Sequence, residues 1–199
     1  MRQVRNGPVR DRDGSSPTQA VHIHIGEHYI SDQPGLEILT VLGSCIGACI
    51  RDPTRGVGGM NHFMLPGRSA ESAPGAVNEM RYGQHAMERL INDLLAAGAK
   101  RERLEIKLFG GANTFQTGMR IGDRNVAFVR QFLADEGMCI AAEDLGGTVG
   151  RRLRFNPVSG TVMRLRMERG LETHLFRKEI DFSQTVDTTS MDGSVELFV

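Results

Sequence analysis

The sequence predicts a single α/β domain whose strands are joined both by hairpins and by helical crossovers. Three observations predict it. Two stretches have helical periodicity, alternating segments lie before, between and after them, and 199 residues suit one substantial core better than two. Apolar residues at 40% and charged residues at 24% describe a soluble globular chain.

Residues 1–19 are polar, carry Gly and Pro and have no period, so they read as a disordered arm preceding a domain over 20–182. Val21, Ile23 and Ile25 alternate with His22 and His24 as a half-buried strand, and Leu36 to Leu42 is apolar enough for another. A hairpin follows, turning through Asp52-Pro53-Thr54-Arg55, where aspartate suits the first turn position and proline the second. Closing it between Asp52 and Arg55 puts Cys45 directly opposite His62, whereas a bulge at Gly56 shifts the register by one. Gly67 to Ala76 reads as a surface loop.

Val77 to Ala97 then carries Met80, Met87, Leu90, Ile91, Leu94 and Leu95 on one helical stripe, stopped by Gly98. Leu104, Ile106 and Leu108 alternate as a strand running into Gly110-Gly111-Ala112-Asn113. A second helix is expected from Asp123, as its N-cap, to Glu136, with Val126, Val129, Phe132 and Leu133 inward and Gly137 at its end. Met138 to Glu143 is a short strand. Another hairpin, 151–155 with 161–167, turns through Asn156 to Gly160. Pairing Phe155 with Thr161 puts Leu153, Phe155, Met163, Leu165 and Met167 on the core face and Arg152, Arg154, Arg164 and Arg166 on the other, a candidate docking surface. Residues 183–199 read as a flexible tail ending in an apolar cluster.

Formal net charge is zero, which excludes a general nucleic-acid binder. Three cysteines without disulfide-like spacing point to a reducing compartment, the start lacks the apolar centre of a secretory signal, and no run is apolar enough to cross a bilayer. A cytoplasmic protein is expected.

The chemistry centres on Cys45 and His62, a thiol beside its base. Gly43, Ser44 and Gly47 flank the thiol and Gly58 and Gly59 precede the histidine, so a substrate could approach the backbone on both strands. The bland alternative is a buried cysteine and a structural histidine. A metal reading uses Cys45, Cys49 and His62, three ligands at a spacing unlike that of any closed zinc site. Gly43-Ser44-Cys45-Ile46-Gly47 also fits a nucleophile elbow, but the elbow needs a helix directly after the nucleophile and Asp52-Pro53 arrives too soon for one. The glycine pairs at 110–111 and 146–147 match no phosphate loop and read as turns.

Five blocks together, Leu42-Gly-Ser-Cys-Ile-Gly47, Gly58-Gly-Met-Asn-His-Phe-Met-Leu-Pro66, Phe109-Gly-Gly-Ala-Asn113, Ile121-Gly-Asp-Arg-Asn125 and Ala142-Glu-Asp-Leu-Gly-Gly147, resemble the signature blocks of the CheD family of chemoreceptor glutamine deamidases. The resemblance spans about residues 20–168. It implies a single-domain three-layer α/β sandwich with mixed sheets, related to toxin-type deamidases, and a cysteine, histidine and threonine site. Carried over, Cys45 is the nucleophile, His62 the base and Thr40 the third member, one residue nearer the cysteine than in some relatives, whose position holds Leu39 here. The implied substrates are glutamines of methyl-accepting chemotaxis receptors, with a CheC-type phosphatase as a partner, no metal or organic cofactor, and a monomeric working form. The rival reading is a non-catalytic signalling adaptor.

Overall fold

The fold is that of a computed structural model, which describes residues 7–9, 18–65, 75–113 and 120–167. Its strands are β1 (Gly7–Val9), β2 (Thr18–His22), β3 (His28–Ser31), β4 (Glu37–Leu42), β5 (Ile46–Asp52), β6 (Val57–Phe63), β7 (Glu105–Gly110), β8 (Ile140–Leu145), β9 (Arg151–Phe155) and β10 (Val162–Arg166). The helices are α1 (Gly75–Ala96) and α2 (Ile121–Asp135). Among the described residues no helix is long and apolar enough to cross a membrane.

Two mixed five-stranded sheets, ordered β3-β6-β5-β7-β8 and β1-β2-β4-β9-β10, stack with the helices as three layers. Strand alternation sets the layering. On β5, Ile46, Ala48 and Ile50 face a core shared with Met87, Leu90 and Leu94 of α1 and Val129, Phe132 and Leu133 of α2. Cys45 and Cys49 face a second core with Val21, Ile38, Leu42, Leu153 and Phe155 of the other sheet. Strands β5 and β6 are therefore buried on both faces, which explains their near-continuous small and apolar composition.

Both helices end as their glycines foretell. Gly98 (φ 93°) and Gly137 (φ 63°) adopt the left-handed conformation. The amides of Ala99 and Met138 reach back to the carbonyls of Leu94 and Leu133 at 3.0 and 2.8 Å, closing both last turns. Helix α1 begins at Gly75, inside the expected loop, of which 67–74 lies outside the described residues. Met80 is 56% exposed and so leaves the apolar stripe. Helix α2 begins at Ile121, before the expected N-cap, and Arg120 precedes it without a side-chain cap.

Both hairpin registers differ from those expected, and for one reason. Each turn has the form Asx-Pro-x-x-Gly. The Asp52 Oδ1 accepts the amides of Thr54 and Arg55, and Asn156 Oδ1 those of Val158 and Ser159. Gly56 (φ 69°) and Gly160 (φ 73°) then close the loop by donating to the carbonyls of Asp52 and Asn156. Four residues follow the Asx in each loop, 53–56 before Val57 and 157–160 before Thr161, so Asp52 pairs with Val57 and Phe155, one step beyond the Asn156–Thr161 bond, with Val162.

In the first hairpin the register moves by two, and Gly47, not Cys45, stands opposite His62. In the second it moves by one, which turns every side chain of β10 over. Arg164 and Arg166 therefore share a face with Leu153 and Arg151, while Met163 and Leu165 share one with Arg152 and Arg154 and are 51% and 64% exposed. The expected single arginine face does not form. Arg154 pairs instead with Glu37, and Arg164 with Asp144 at 2.6 Å.

The expected disordered arm includes β1, which pairs antiparallel with β2, and β3 is a further strand, paired antiparallel with β6. The expected tail, 183–199, lies outside the described residues.

Candidate active site

Strand β4 is regular, with Ile38, Thr40 and Leu42 buried at alternate positions, so Thr40 points between the sheets without any bulge. There its Oγ1 lies 2.8 Å from Nδ1 of His62 and 2.9 Å from the carbonyl oxygen of Ile23. Counting protons fixes the tautomer. A carbonyl cannot donate, so the single hydroxyl proton goes to Ile23, and the bond to His62 must be donated by Nδ1–H. The lone pair is then on Nε2, which is buried and has no hydrogen-bond partner among the described residues. Burial pushes the imidazole pKa down to about 3, with the charge of nearby His24 adding to the effect and the Ile23 carbonyl opposing it. At neutral pH His62 is a neutral ring whose Nε2 carries the lone pair.

Cys45 is wholly buried and packs with Met60 and Met64, which flank His62 on the same face of β6. Because the register moved by two and not by one, thiol and imidazole stay on one side of the sheet. Tyr82 of α1 is close enough for the Cys45 charge to act on its phenol, which burial and that charge push up to about 12. A cleft lined by Gly26, Glu27, Tyr82, His85 and Arg89 opens onto His62.

The bend that carries the thiol is held from behind. The carbonyls of Gly43, Ser44 and Cys45 accept hydrogen bonds from Ala112 N–H, Asn125 Nδ2 and Gly111 N–H, each at 2.8 Å. Gly110 (φ 109°) is required here, since a Cβ on it would lie 2.0 Å from the Cys45 oxygen. A Cβ on Gly122 would lie 2.4 Å from the Gly111 oxygen, so its absence lets α2 approach this loop. The Gly110-Gly111 pair thus does more than turn the chain, and Asn125 and Tyr82 were not singled out from the sequence. The only signal for Asn125 was its place in the Ile121–Asn125 block.

Gly58 and Gly59 have a different role from the one expected. Cβ atoms there would lie 2.4 Å from the Pro157 oxygen and 2.6 Å from Ile30 Cγ2, so protein fills the space a substrate was expected to use. At Gly47 a Cβ would meet Leu42 Cδ1 at 2.9 Å, where the two sheets approach each other. Cys49 is buried and its thiol pKa is pushed up by that burial. Cys139, within the short strand expected from Met138 to Glu143, is exposed. Among the described residues no three His, Cys, Asp or Glu side chains gather as metal ligands.

Residues 64–166 match the family described as CheD chemotactic sensory transduction. A relative from Rhodopseudomonas palustris (strain BisA53), named "Probable chemoreceptor glutamine deamidase CheD", is 46% identical over 189 residues, covering 95% of this chain and 89% of its own. The chain belongs to the CheD family. CheD relatives of the same name from Rhizobium leguminosarum bv. trifolii (strain WSM2304) and Hahella chejuensis (strain KCTC 2396) are 52% and 42% identical. They cover 70% and 87% of this chain, and 76% and 82% of their own lengths. Among solved structures, the Bacillus licheniformis hypothetical protein YfiH is 12% identical at a TM-score of 0.39, over 58% of this CheD chain and 49% of that one, a likeness too low to bear on function.

Proposed function

We propose that this protein is a protein-glutamine γ-deamidase that acts in the cytoplasm on methyl-accepting chemotaxis receptors, converting glutamine side chains to glutamate. The observation that carries the reading is the lone pair on His62 Nε2, set by Thr40 and buried on the face that holds Cys45. Support for the substrate comes from the names of the curated relatives.

In this reading Nε2 takes the Cys45 proton as sulfur attacks the amide carbon of glutamine. The thioester forms as the C–N bond breaks, and the imidazolium returns the proton to departing ammonia. A water deprotonated by the same nitrogen then attacks the thioester, releasing glutamate and restoring the thiol. Thr40 keeps the ring in the one tautomer able to do this, and its hydroxyl accepts from the imidazolium as it did from the imidazole. A CheC-type phosphatase partner and a monomeric working form belong to the same proposal.

The test is mass spectrometry of a purified receptor cytoplasmic fragment incubated with wild-type protein and with Cys45→Ala. Amide-to-acid conversion at defined glutamines with wild type alone is the expected result. Unmodified glutamines in the presence of folded wild-type protein would sink the reading.

A further inference from the structure

Asn125 is the fifth residue of α2 and has no exposed surface. Its side-chain amide makes two bonds to two different strands' ends. Nδ2 donates to the carbonyl of Ser44 at 2.8 Å, and Oδ1 accepts the amide of Leu65 at 2.9 Å. The orientation of the amide is forced, because a carbonyl can only accept and a backbone N–H can only donate. Ser44 immediately precedes the thiol, and Leu65 lies three residues beyond His62. One planar, buried group therefore spans the segment carrying the nucleophile and the segment carrying the base.

The β5–β6 ladder holds His62 opposite Gly47 but stops short of the thiol. It runs from the Asp52–Val57 pair to the Ile46–Phe63 pair, so both Cys45 and Leu65 lie past its end. Beyond it, the chain is held by the α2 side: Asn125 on Ser44 and Leu65, and Gly111 and Ala112 on Cys45 and Gly43. Ser44 Oγ also donates to Met64 Sδ at 3.5 Å, a weak direct link between the two segments, and of the groups named on the α2 side Asn125 alone touches both.

We propose that Asn125 is a positioning residue that fixes the distance between Cys45 and His62 by clamping the chain on either side of them. The proposal rests on the thiol-and-base reading above. It requires nothing about which protein is the substrate.

The test uses Asn125→Ala, which removes both bonds, and Asn125→Asp, nearly isosteric, which keeps an acceptor for Leu65 but places an oxygen against the Ser44 carbonyl. The control is Val129→Ala on the same helix, a core position with no polar contact, which lowers the melting temperature without touching the clamp. Three quantities are read well below each melting temperature: the rate of Cys45 alkylation by iodoacetamide at pH 7, and kcat and KM for the receptor fragment. Both Asn125 variants are expected to alkylate at least tenfold more slowly than wild type, with kcat down at least tenfold and KM within twofold. Val129→Ala is expected to match wild type in all three. If Asn125→Ala does not fold, Asn125→Asp decides alone.

Alkylation at the wild-type rate in a folded Asn125 variant overturns the proposal, as does an equal loss in Val129→Ala. Should wild type fail to deamidate the receptor fragment while the alkylation rates still separate as expected, the substrate reading falls and the role of Asn125 stands.

Discussion

The Thr40 hydroxyl lies 2.8 Å from Nδ1 of His62 and donates its own proton to the carbonyl of Ile23, so the ring can be bonded there only as a donor. Thr40→Val removes the acceptor and leaves the Nδ1–H buried and unpaired, at a cost of about 1–3 kcal/mol. That strain favours the other tautomer, whose Nε2 carries a proton and cannot act as base. A fall in kcat of about 10–100-fold with KM little changed is expected. Thr40→Ser keeps the oxygen and should retain most of the activity. Equal kinetics for the valine and serine variants would remove Thr40 from the mechanism.

Cys45 and Cys49 both face the core on the side of His62, and of the two only Cys45 lies in the Leu42–Gly47 block that carries the family resemblance, so it is the proposed nucleophile. Cys45→Ala is expected to abolish deamidation, while Cys139→Ala, at an exposed position, should be indistinguishable from wild type. Cys49→Ala should keep its kcat but lose about 1–2 kcal/mol of stability through a small cavity between the sheets. Chemical denaturation and a deamidation assay on the same three proteins measure both effects.

Stability should depend on pH through His62. Its pKa falls from 6.5 in the unfolded chain to about 3 in the fold. Between those values the unfolded chain binds a proton that the folded one does not, so stability rises with pH across the window and falls as acid is added. The slope from this one group reaches about 1.4 kcal/mol per pH unit. Denaturation midpoints of His62→Gln from pH 4 to 6 should therefore vary less steeply than those of wild type. Parallel curves would mean that the buried imidazole does not titrate this way.

Gly110 tests the backing of the nucleophile. Its φ of 109° disfavours any side chain, and a Cβ there would press on the Cys45 carbonyl. Gly110→Ala is expected to cost about 1–3 kcal/mol from the backbone conformation alone and to reduce kcat by displacing the thiol. Gly146→Ala also meets a positive φ but has open space around it, so it should lose stability with kcat preserved. Comparison of the pair separates strain from displacement.

Local chemistry made much of this protein legible in the sequence. The helices show because their apolar spacing and terminal glycines are properties of contiguous residues. Strands β5 to β9 show for the same reason, and the resemblance of five short blocks pointed to Cys45, His62 and Thr40. What a sequence pattern does not carry is the count of residues spent in a turn. Asp52 to Gly56 and Asn156 to Gly160 close by the same device, a glycine in the left-handed conformation bonded back to the Asx carbonyl, and each spends four residues after the Asx before the partner strand resumes.

In the first hairpin the difference was even, so the thiol kept its side of the sheet. In the second it was odd, and the arginines divided between two faces. Tertiary structure alone decided these parities, because a pleated strand presents its side chains with period two. It also decided Asn125, whose meaning depends on three segments separated by about 20 to 80 residues in sequence meeting at one buried amide. The sequence by itself determined which groups are available for chemistry, and the packing of two sheets and a helix determined which of them are held together.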